Sequence, residues 1–372
     1  MERAESAPTP SRPWSGIIPP FIVEQFWRSG DPQLQSIALE NETLAKLCRH
    51  GRADTCATIA AAPAPHPMAG LLTISEPRAI DRQIYDVEQR SVHFLPGRLV
   101  RAEGDCEIGD EAVDEAYEYS GIVHRFFEER FGRVSLDDRG MSLVSSVHVG
   151  RRFANAFWNG EQMVYGDGDG RVFLRFTRSL DVVAHEMTHG IIQFTSNLEY
   201  RNESGALNEH FADVFGVLVK QWHLGQTVDQ ADWLIGAELI TEAPTRTALR
   251  SMAAPGTAYR NDPFLGNDPQ PDHVRDQYFG SADEGGVHIN SGIPNHAFYL
   301  TAMELGGQAF EAAGEIWYRT LLELRPRSSF AECAATCIAV ATRLFGPGSP
   351  EQLAVRRAWT AVGVDVSERT LA

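Results

Sequence analysis

The stretch SLDVVAHEMTHGIIQFT, residues 179–195, is the most informative part of the chain. It contains the pattern His-Glu-x-x-His, with His185 and His189 one helical turn apart. On a helix the two imidazoles lie on one face, where they can take two corners of a zinc tetrahedron. Glu186 lies on the adjoining flank, from which it can take a proton from a zinc-activated water. The apolar run at residues 182–184 indicates that this helix is buried.

A third metal ligand is expected downstream, because a catalytic zinc usually has three protein ligands and an open fourth position. The stretch ESGALNEHFADVFG, residues 203–216, supplies Glu209 at a separation from His189 that suits a helix, a turn and a returning helix. Asp213 lies one turn beyond Glu209, where a carboxylate can hold the free ring nitrogen of a zinc-binding histidine. The alternative for both acids is a pair of exposed helix charges.

Composition limits the class of protein and its partners. The chain has 372 residues and a formal net charge of −17, so nucleic acid is not expected as a partner. Its five sparse cysteines do not form the pattern of a disulfide framework. No signal-peptide pattern and no membrane span are visible. These features predict a cytoplasmic location by default, with secretion by a non-classical route as the alternative.

The pattern along the chain predicts an α+β fold, a β-rich half followed by an α-helical half. A Pro- and Ala-rich stretch within residues 55–80 is typical of a linker. Eight carboxylates between Glu103 and Glu118 are interpreted as a solvated helix start. Apolar spacing and turn residues predict helices at 32–48 and 110–132, strands within 82–89, 93–104, 141–149, 155–160 and 171–176, and a last helix capped by Ser349.

Longer blocks around the motif resemble the thermolysin family of zinc metallopeptidases, the gluzincin family M4. They are YRNESGALNEHFADVFG at 200–216, NAFWNGEQMVYGDGDG at 155–170 and GGVHINSGIPNHAFYL at 285–300. The resemblance implies a two-lobed metallopeptidase with a β-rich N-terminal lobe, an α-helical C-terminal lobe and the zinc site on helices in the cleft between them. The implied units are a short propeptide and linker at 1–80, the β-rich lobe with the HExxH helix at 81–197, and the helical lobe at 198–372.

The resemblance also implies a zinc-dependent neutral endopeptidase and assigns its parts. The implied catalytic centre consists of the zinc ligands His185, His189 and Glu209, the general base Glu186, the oxyanion-binding Tyr200 and His288, and the orienting carboxylates Asp213 and Asp283. The implied substrate site consists of the edge strand with Asn155, Ala156 and Trp158, the carbonyl-binding Arg250, and an apolar pocket of Phe173, Val182 and Leu249. Such a pocket favours bulky apolar residues, such as Leu, Phe or Ile, just after the cut bond.

The front of the chain is similar to the protealysin branch of this family, which has a short propeptide. The segment IIPPFI at 17–22 matches it, with Ile18, Pro19, Pro20 and Phe21 as the inhibitory part. Proline fixes φ and lacks an N–H donor, so a Pro-Pro stretch can lie in a cleft and resist cleavage. The resemblance therefore implies a precursor inhibited by its own propeptide. A disordered Pro-rich tail is the alternative.

Some positions depart from the family pattern. Lys220 stands where a calcium-binding carboxylate is expected, and Leu234 and Ala237 replace two more, whereas Asp181 and Asp232 remain. Calcium prefers six to eight oxygen ligands, so the double calcium site looks lost even if some calcium binding is retained. His210, beside Glu209, is also unusual and is interpreted as a packing substitution.

Three other functions stay open. A catalytically silent descendant would bind zinc and peptides without cutting them. A non-enzymatic interaction protein would use residues 1–80 to dock a partner. A zinc aminopeptidase sharing the HExxH motif would trim chains from one end. Peptide and protein substrates are the partners expected of the leading hypothesis.

Overall fold

The computed structural model describes residues 16–44 and 80–366. The linker predicted within 55–80 lies outside the described residues except for its last position. The helices are α1 Pro20–Arg28, α2 at 32–44 as far as it is described, α3 Glu111–Phe131, α4 Leu180–Gln193, α5 Asn202–Leu224, α6 Asp283–Asn290, α7 Gly292–Leu305, α8 Ala312–Glu323, α9 Phe330–Phe345 and α10 Pro350–Ala361. The strands are β1 Arg82–Asp86, β2 Arg98–Ala102, β3 Leu143–Val147, β4 Ala156–Trp158, β5 Met163–Tyr165, β6 Leu234–Ile235 and β7 Arg250–Ser251.

A mixed five-stranded sheet precedes most of the helices in the chain. Its strand order is β2-β1-β3-β5-β4, with β1, β3 and β5 parallel and the two outer strands antiparallel to their neighbours. Strand β4 is therefore an edge strand, and α4 packs against it. This arrangement sets the HExxH helix beside a strand whose outer edge can pair with another chain segment.

Helices α4 and α5 form the most extensive helix pair of the described chain. A Cβ atom at Gly216 would lie 2.8 Å from the carbonyl oxygen of Asp181 and 3.7 Å from Cβ of His185. A glycine there lets the two helix backbones approach closely. This close crossing brings the face of α4 with the two histidines against the face of α5 with Glu209.

The hydrophobic core is continuous from the N-terminal segment to the last helix. One cluster of buried apolar side chains includes Ile17, Ile22 and Phe26 together with residues of the sheet, of α3 to α5 and of α7 to α10. Burying a large apolar side chain stabilises a fold by about 1.5–3 kcal/mol. The division into units at 80 and 197 stays a prediction.

Helix ends follow the sequence signals. Asp110 caps α3 by accepting hydrogen bonds from the N–H groups of Ala112 and Val113, and Gly132 ends it in the left-handed conformation. Ser349 caps α10 by accepting from the N–H of Gln352. No described helix has both the length and the hydrophobicity needed to cross a membrane.

The predicted strand at 171–176 is wrong. Phe173 makes only an isolated bridge with Ile240. The side chain of Asp169 accepts hydrogen bonds from the N–H groups of Val172 and Phe173, at 3.0 and 2.7 Å, so these donors are unavailable to a ladder. The segment is hydrophobic because it runs through the core, where Phe173 and Phe176 are buried.

The eight carboxylates interpreted as a solvated helix start are exposed or half-buried, and several of them also form ion pairs. Arg101, which is buried, pairs with Asp114 and Glu118 at 2.9 and 3.2 Å. Further pairs join Arg175 to Glu111 and Glu115, Arg82 to Glu103, and His148 to Asp110. The acids of α3 and its cap therefore attach this helix to β2 and to the loops after β3 and β5, and Glu103 attaches the end of β2 to β1.

Candidate active site

The three predicted zinc ligands converge at the crossing of α4 and α5. Nε2 of His185 lies 3.1 Å from Nε2 of His189, and each of these nitrogens lies 3.5 Å from an oxygen of Glu209. His185 and Glu209 are fully buried. All three ligand atoms lie within 4.8 Å of one another, a cluster of the size that one metal ion can hold.

Hydrogen bonds at the far side of each ring show which nitrogens face the cluster as acceptors. Nδ1 of His185 lies 2.9 Å from Asp213, and Nδ1 of His189 lies 2.8 Å from the side-chain oxygen of Asn208. The amide of Asn208 is oriented by its donation to the carbonyl of Leu198. Each Nδ1 therefore carries the hydrogen, and the two Nε2 lone pairs point toward each other.

Two converging lone pairs beside a carboxylate require a cation. Among the residues that the structure describes, none is a hydrogen-bond partner of Oε2 of Glu209. Burial lowers the pKa of His189 to about 4 and also lowers the pKa of His185, so both rings are neutral, the form that binds metal. Two imidazoles and one carboxylate, with a fourth position open, are the ligand set of catalytic zinc. The residues present therefore fit a zinc ion.

Glu186 lies beside the cluster and is fully buried. Its Oε2 accepts a hydrogen bond from the N–H of Trp158 at 2.9 Å, and its Oε1 accepts one from the N–H of Ile17 at 3.2 Å. Burial raises its pKa well above the usual range, and the negative charge of Glu209 raises it further. The backbone of Trp158, predicted to hold substrate, is thus directed at Glu186.

Asp213 is the centre of a buried polar network. It accepts two hydrogen bonds from Arg250, at 2.9 and 2.8 Å, and one from Asn295 at 2.9 Å, in addition to that of His185. Burial opposes its ionisation, but Arg250 and His185 outweigh burial and hold the pKa of Asp213 below its usual range.

His210 extends this network and corrects its interpretation as a packing substitution. Its Nδ1 lies 2.8 Å from the side-chain oxygen of Asn295, and its Nε2 accepts from the indole N–H of Trp317 at 2.8 Å. A chain of hydrogen bonds therefore runs from α8 through His210 and α7 to Asp213 and on to His185. Both ring nitrogens of the buried His210 are hydrogen-bonded, and a side chain that only filled space would not need these bonds.

Tyr200 and His288 flank the cluster on its open side. The hydroxyl of Tyr200 donates to Glu209 and lies 3.2 Å from Nε2 of His288. Asp283 accepts from Nδ1 of His288 at 2.7 Å and from its backbone N–H at 2.8 Å. A left-handed turn at the start of α6, which includes Gly286 with φ of 81°, brings Asp283 back to His288.

The N-terminal segment lies across this site. The N–H of Ile17 also donates to the carbonyl of Ala156 at 3.1 Å, and the N–H of Ile18 donates to the side chain of Asn155 at 2.9 Å. Arg250 donates to the carbonyl of Ile17 at 3.2 Å, and Nε2 of His288 lies 3.2 Å from the carbonyl oxygen of Gly16. The segment thus runs along the edge of β4, as an added strand does.

The prolines lie beyond the catalytic groups. Gly16, Ile17, Ile18 and Pro19 are buried, whereas Pro20 is exposed in the first turn of α1. Proline at the first helical positions starts a helix readily, because its missing N–H would have no partner there. The predicted inhibitory segment, Ile18 to Phe21, is therefore displaced by two residues from the stretch that contacts the catalytic groups.

Two comparisons of sequence and one of structure identify the relatives of this chain. Residues 74–193 match the family described as thermolysin metallopeptidase, catalytic domain, and residues 196–364 match its alpha-helical domain. The chain belongs to the thermolysin family. An "Extracellular metalloprotease" of Pectobacterium carotovorum subsp. carotovorum is 46% identical over 363 residues, 97% of this chain and 99% of that protein. "Protease PrtS" of Photorhabdus sp. (strain Az29) is 41% identical over 359 residues, 95% of this chain and 93% of that one.

A solved structure supports the same conclusion. The precursor of protealysin, a metalloproteinase from Serratia proteamaculans, has 43% sequence identity and a TM-score of 0.82, over 94% of this chain and 100% of that chain. The predicted thermolysin-like fold and the predicted zinc-dependent endopeptidase made as a precursor are confirmed. The catalytically silent alternative is not favoured.

The predicted cytoplasmic location is wrong. The Pectobacterium relative, aligned over nearly its whole length, is by name an extracellular metalloprotease, and this points to secretion. The lack of a recognisable signal-peptide pattern does not indicate retention in the cell. Export routes that use other signals leave no such pattern.

Several residues of this thermolysin-family site were not predicted from the sequence. Asn208 and Asn295 each hold a member of the zinc cluster or its orienting carboxylate, and Gly16 lies against the site itself. Asn208 directly precedes Glu209, so its position was a readable signal. Asn295 is distant in sequence, and only the packing of α7 on α5 brings it to Asp213.

Proposed function

We propose that Glu186, Tyr200, His288 and Arg250 carry out peptide hydrolysis at a zinc ion held by His185, His189 and Glu209. The observation that carries this proposal is the position of the peptide segment Gly16–Ile18. The amide nitrogen of Ile17 contacts Glu186 and its carbonyl oxygen contacts Arg250. The carbonyl oxygen of Gly16 contacts His288. A bound metal supplies an activated water and polarises the carbonyl oxygen. The protein's own groups account for the remaining steps.

The proposed roles follow from the contacts. Glu186 takes the proton from the attacking water and delivers it to the leaving amide nitrogen, the atom it already contacts in Ile17. His288 and Tyr200 stabilise the negative charge that develops on the carbonyl oxygen, because Nε2 of His288 lies next to such an oxygen in Gly16. Asp283 and Asp213 orient His288 and His185.

Substrate is held by backbone contacts on one side and by an apolar pocket on the other. Asn155, Ala156 and Arg250 bind the backbone of the two residues after the cut bond, as they bind Ile17 and Ile18. Phe173, Val182 and Leu249 are all buried and are assigned to the pocket for the first of these residues. The expected preference is a bulky apolar residue at that position, in any of many sequences.

The same contacts support inhibition of the precursor by its own propeptide. A substrate cannot reach β4, Arg250 or His288 while Gly16–Ile18 is bound to them. Removal of the segment through a cut near residues 75–82, at the end of the predicted propeptide and linker, would open the site. The propeptide is therefore proposed as an intramolecular inhibitor and the released enzyme as a protease of peptides and proteins.

Calcium is not proposed as a cofactor at the family's double site. Nζ of Lys220 lies 3.0 Å from Asp232 and 3.6 Å from Asp181. Asp181 is buried and also accepts from Ser179 and from the N–H of Gly236. An ammonium group between the two carboxylates supplies the positive charge that a calcium ion would otherwise bring.

A cleavage map tests the proposed function. The protein with residues 1–79 removed, loaded with zinc, is incubated with unfolded casein, and the fragments are identified by mass spectrometry. Internal cuts before Leu, Phe or Ile, lost with a zinc chelator and with Glu186→Gln, are expected. Trimming from one end would support an aminopeptidase instead. Cuts that persist in Glu186→Gln would contradict the role of Glu186.

A further inference from the structure

The contacts of Gly16 and Ile17 follow the order of a peptide bond about to be hydrolysed. The carbonyl oxygen of Gly16 is 3.2 Å from Nε2 of His288, and the amide nitrogen of Ile17 is 3.2 Å from Oε1 of Glu186. These two atoms belong to one peptide bond. Its oxygen contacts His288, which is assigned to oxyanion stabilisation, and its nitrogen contacts Glu186, which is assigned to proton delivery. Ile17 is also fully buried, as a bulky apolar residue after a cut bond should be.

The direction and register of the Gly16–Ile18 segment are also those expected of a substrate. The N–H of Ile17 donates to β4 and its carbonyl accepts from Arg250, and the next N–H, that of Ile18, meets Asn155. The segment therefore runs in the direction of a substrate, with Ile17 as the first residue after the bond. Inhibitory segments that run in the opposite direction cannot present their peptide bonds to these groups in this order.

We propose that the Gly16–Ile17 bond is a self-processing site, cut by the catalytic groups of the same molecule. This inference rests on the proposed function. Water oxygen adds to the carbonyl carbon of Gly16, the bond from that carbon to the nitrogen of Ile17 breaks, and Glu186 transfers the water's proton to that nitrogen. The products are a carboxylate at Gly16 and a new amino terminus at Ile17, with no change of oxidation state.

The cut does not by itself open the site. Residues after Ile17 remain attached through α1 and α2, which bury Ile22, Phe26, Leu34 and Ile37. The new amino group of Ile17 would lie beside the carboxylate of Glu186 and keep its contact with Ala156. The nicked chain is therefore an inhibited form, and activation needs a second cut near the end of the predicted propeptide, at residues 75–82.

Gly16 is suited to this position because of its lack of a side chain. A Cβ there would lie 1.9 Å from the carbonyl oxygen of Ala156 and 2.6 Å from the side-chain oxygen of Asn155. Both atoms belong to the substrate-binding edge, so neither can withdraw without disturbing it. Gly16→Ala should displace the bond from the catalytic groups and slow the cut by about a hundredfold.

The test uses the full chain, purified without zinc and then loaded with Zn²⁺. Intact-mass measurement over time should show loss of residues 1–16, with Ile17 as the new terminus, at a rate independent of protein concentration. Glu186→Gln should abolish the cut, Gly16→Ala should slow it, and Glu24→Gln on the exposed face of α1 should leave it unchanged. The nicked product should not cleave casein.

A second measurement needs no catalysis. In zinc-loaded Glu186→Gln, amide hydrogen exchange should show protection at Ile17 and Ile18, and Gly16→Ala should reduce it. Absence of protection at these amides would overturn the inference, because the bond would not be held at the site. The Gly16–Ile17 bond of the full chain could stay intact although the chain lacking residues 1–79 cuts casein. That result would overturn the inference and leave the proposed function standing. Failure of that shorter chain to cut casein, once circular dichroism has shown it to be folded and zinc analysis has shown it to be loaded, would overturn the proposed function.

Discussion

Asp213 serves both a metal ligand and a buried cation. Its carboxylate contacts His185, Arg250 and Asn295, and the exposed fraction of Arg250 is only 2%. A buried charge that loses its partner is strongly destabilising, whereas an exposed pair contributes little. This carboxylate therefore couples stability of the fold to the orientation of the zinc site.

Asp213→Asn is expected to lower the free energy of unfolding by about 3–5 kcal/mol, because Arg250 would remain buried without a counter-charge. Zinc affinity should fall about 10–100-fold, because the amide supports His185 less well. Urea unfolding and zinc competition, both in a Glu186→Gln background to prevent self-digestion, measure these effects. Asp276→Asn, at an exposed surface pair, is the matched control. Equal stability of both variants would contradict the coupling.

His148 makes stability depend on pH. Its ring nitrogens contact Asp167 at 2.8 Å and Asp110 at 3.1 Å, and the hydrogen bond to Asp167 raises its pKa to about 9 against the opposing effect of burial. A raised pKa means that the folded state holds the proton more tightly than the unfolded chain does. The stabilisation is fully present below about pH 6.5 and is lost as the pH rises through about 9.

His148→Gln should therefore lower the free energy of unfolding by about 1–2 kcal/mol near pH 6, a value discounted for the partial exposure of both carboxylates. The difference between the variant and the parent should shrink between pH 6.5 and 9. Thermal unfolding of the two proteins across this range, in the Glu186→Gln background, measures it. A difference that stays constant with pH would mean that packing, and not charge, is responsible.

Helix α5 carries both a member of the proposed zinc site and residues that stabilise the fold. Glu209 and Asp213 lie toward its first half, and Lys220 lies near its end, between Asp181 at the start of α4 and Asp232 in the following loop. Burial lowers the pKa of Lys220, but Asp181 and Asp232 outweigh burial and raise it, so the ammonium form is retained. Lys220 thus ties the ends of α4 and α5 to the loop before β6.

Lys220→Glu should convert this internal ion pair into a cluster of acids that needs a cation. Without calcium the variant should lose about 3–5 kcal/mol of unfolding free energy, because Asp181 loses its counter-charge. Added calcium should restore part of that loss, whereas the stability of the parent should not respond to calcium. Thermal unfolding with calcium and with a calcium-selective chelator distinguishes the two. A parent that is itself stabilised by calcium would refute the proposed role of Lys220.

The N-terminal segment and the peptidase share one hydrophobic core. Phe26 on α1 is 1% exposed, and its ring centre lies 6.1 Å from that of Phe173, which is assigned to the substrate pocket. Docking of α1 therefore covers part of the surface that a substrate would use. Inhibition depends on this packing as well as on the backbone contacts of Gly16 to Ile18.

Phe26→Ala should weaken docking by about 3 kcal/mol and raise the casein-cleaving activity of the uncut chain by about two orders of magnitude. Activity is measured at early times, with intact mass confirming that the chain is uncut. Trp27→Ala removes a neighbouring aromatic side chain that is 37% exposed and should change activity much less. Equal effects of both substitutions would indicate that α1 does not dock through its buried face.

The pairing of His185 with His189 on one helix face and the helix boundaries were predictable because local spacing encodes them. One helical turn separates His185 from His189, and Asp110, Gly132 and Ser349 mark helix ends by groups that act within a few residues. The strand expected at 171–176 was wrong because its apolar pattern does not have a local cause. Its apolar residues reflect burial in the core, which is a property of tertiary packing and not of strand periodicity.

Contacts between distant parts of the chain decided the rest. The pairing of Asn295 with Asp213, the network through His210 and the seating of Gly16 and Ile17 on Ala156 depend on how helices cross and on which edge of the sheet is open. No local pattern contains that information, because the energy of each contact comes from groups far apart in sequence. The motif therefore determined the chemistry, and the close crossing of α4 and α5 with the open edge of β4 determined where a peptide bond meets it.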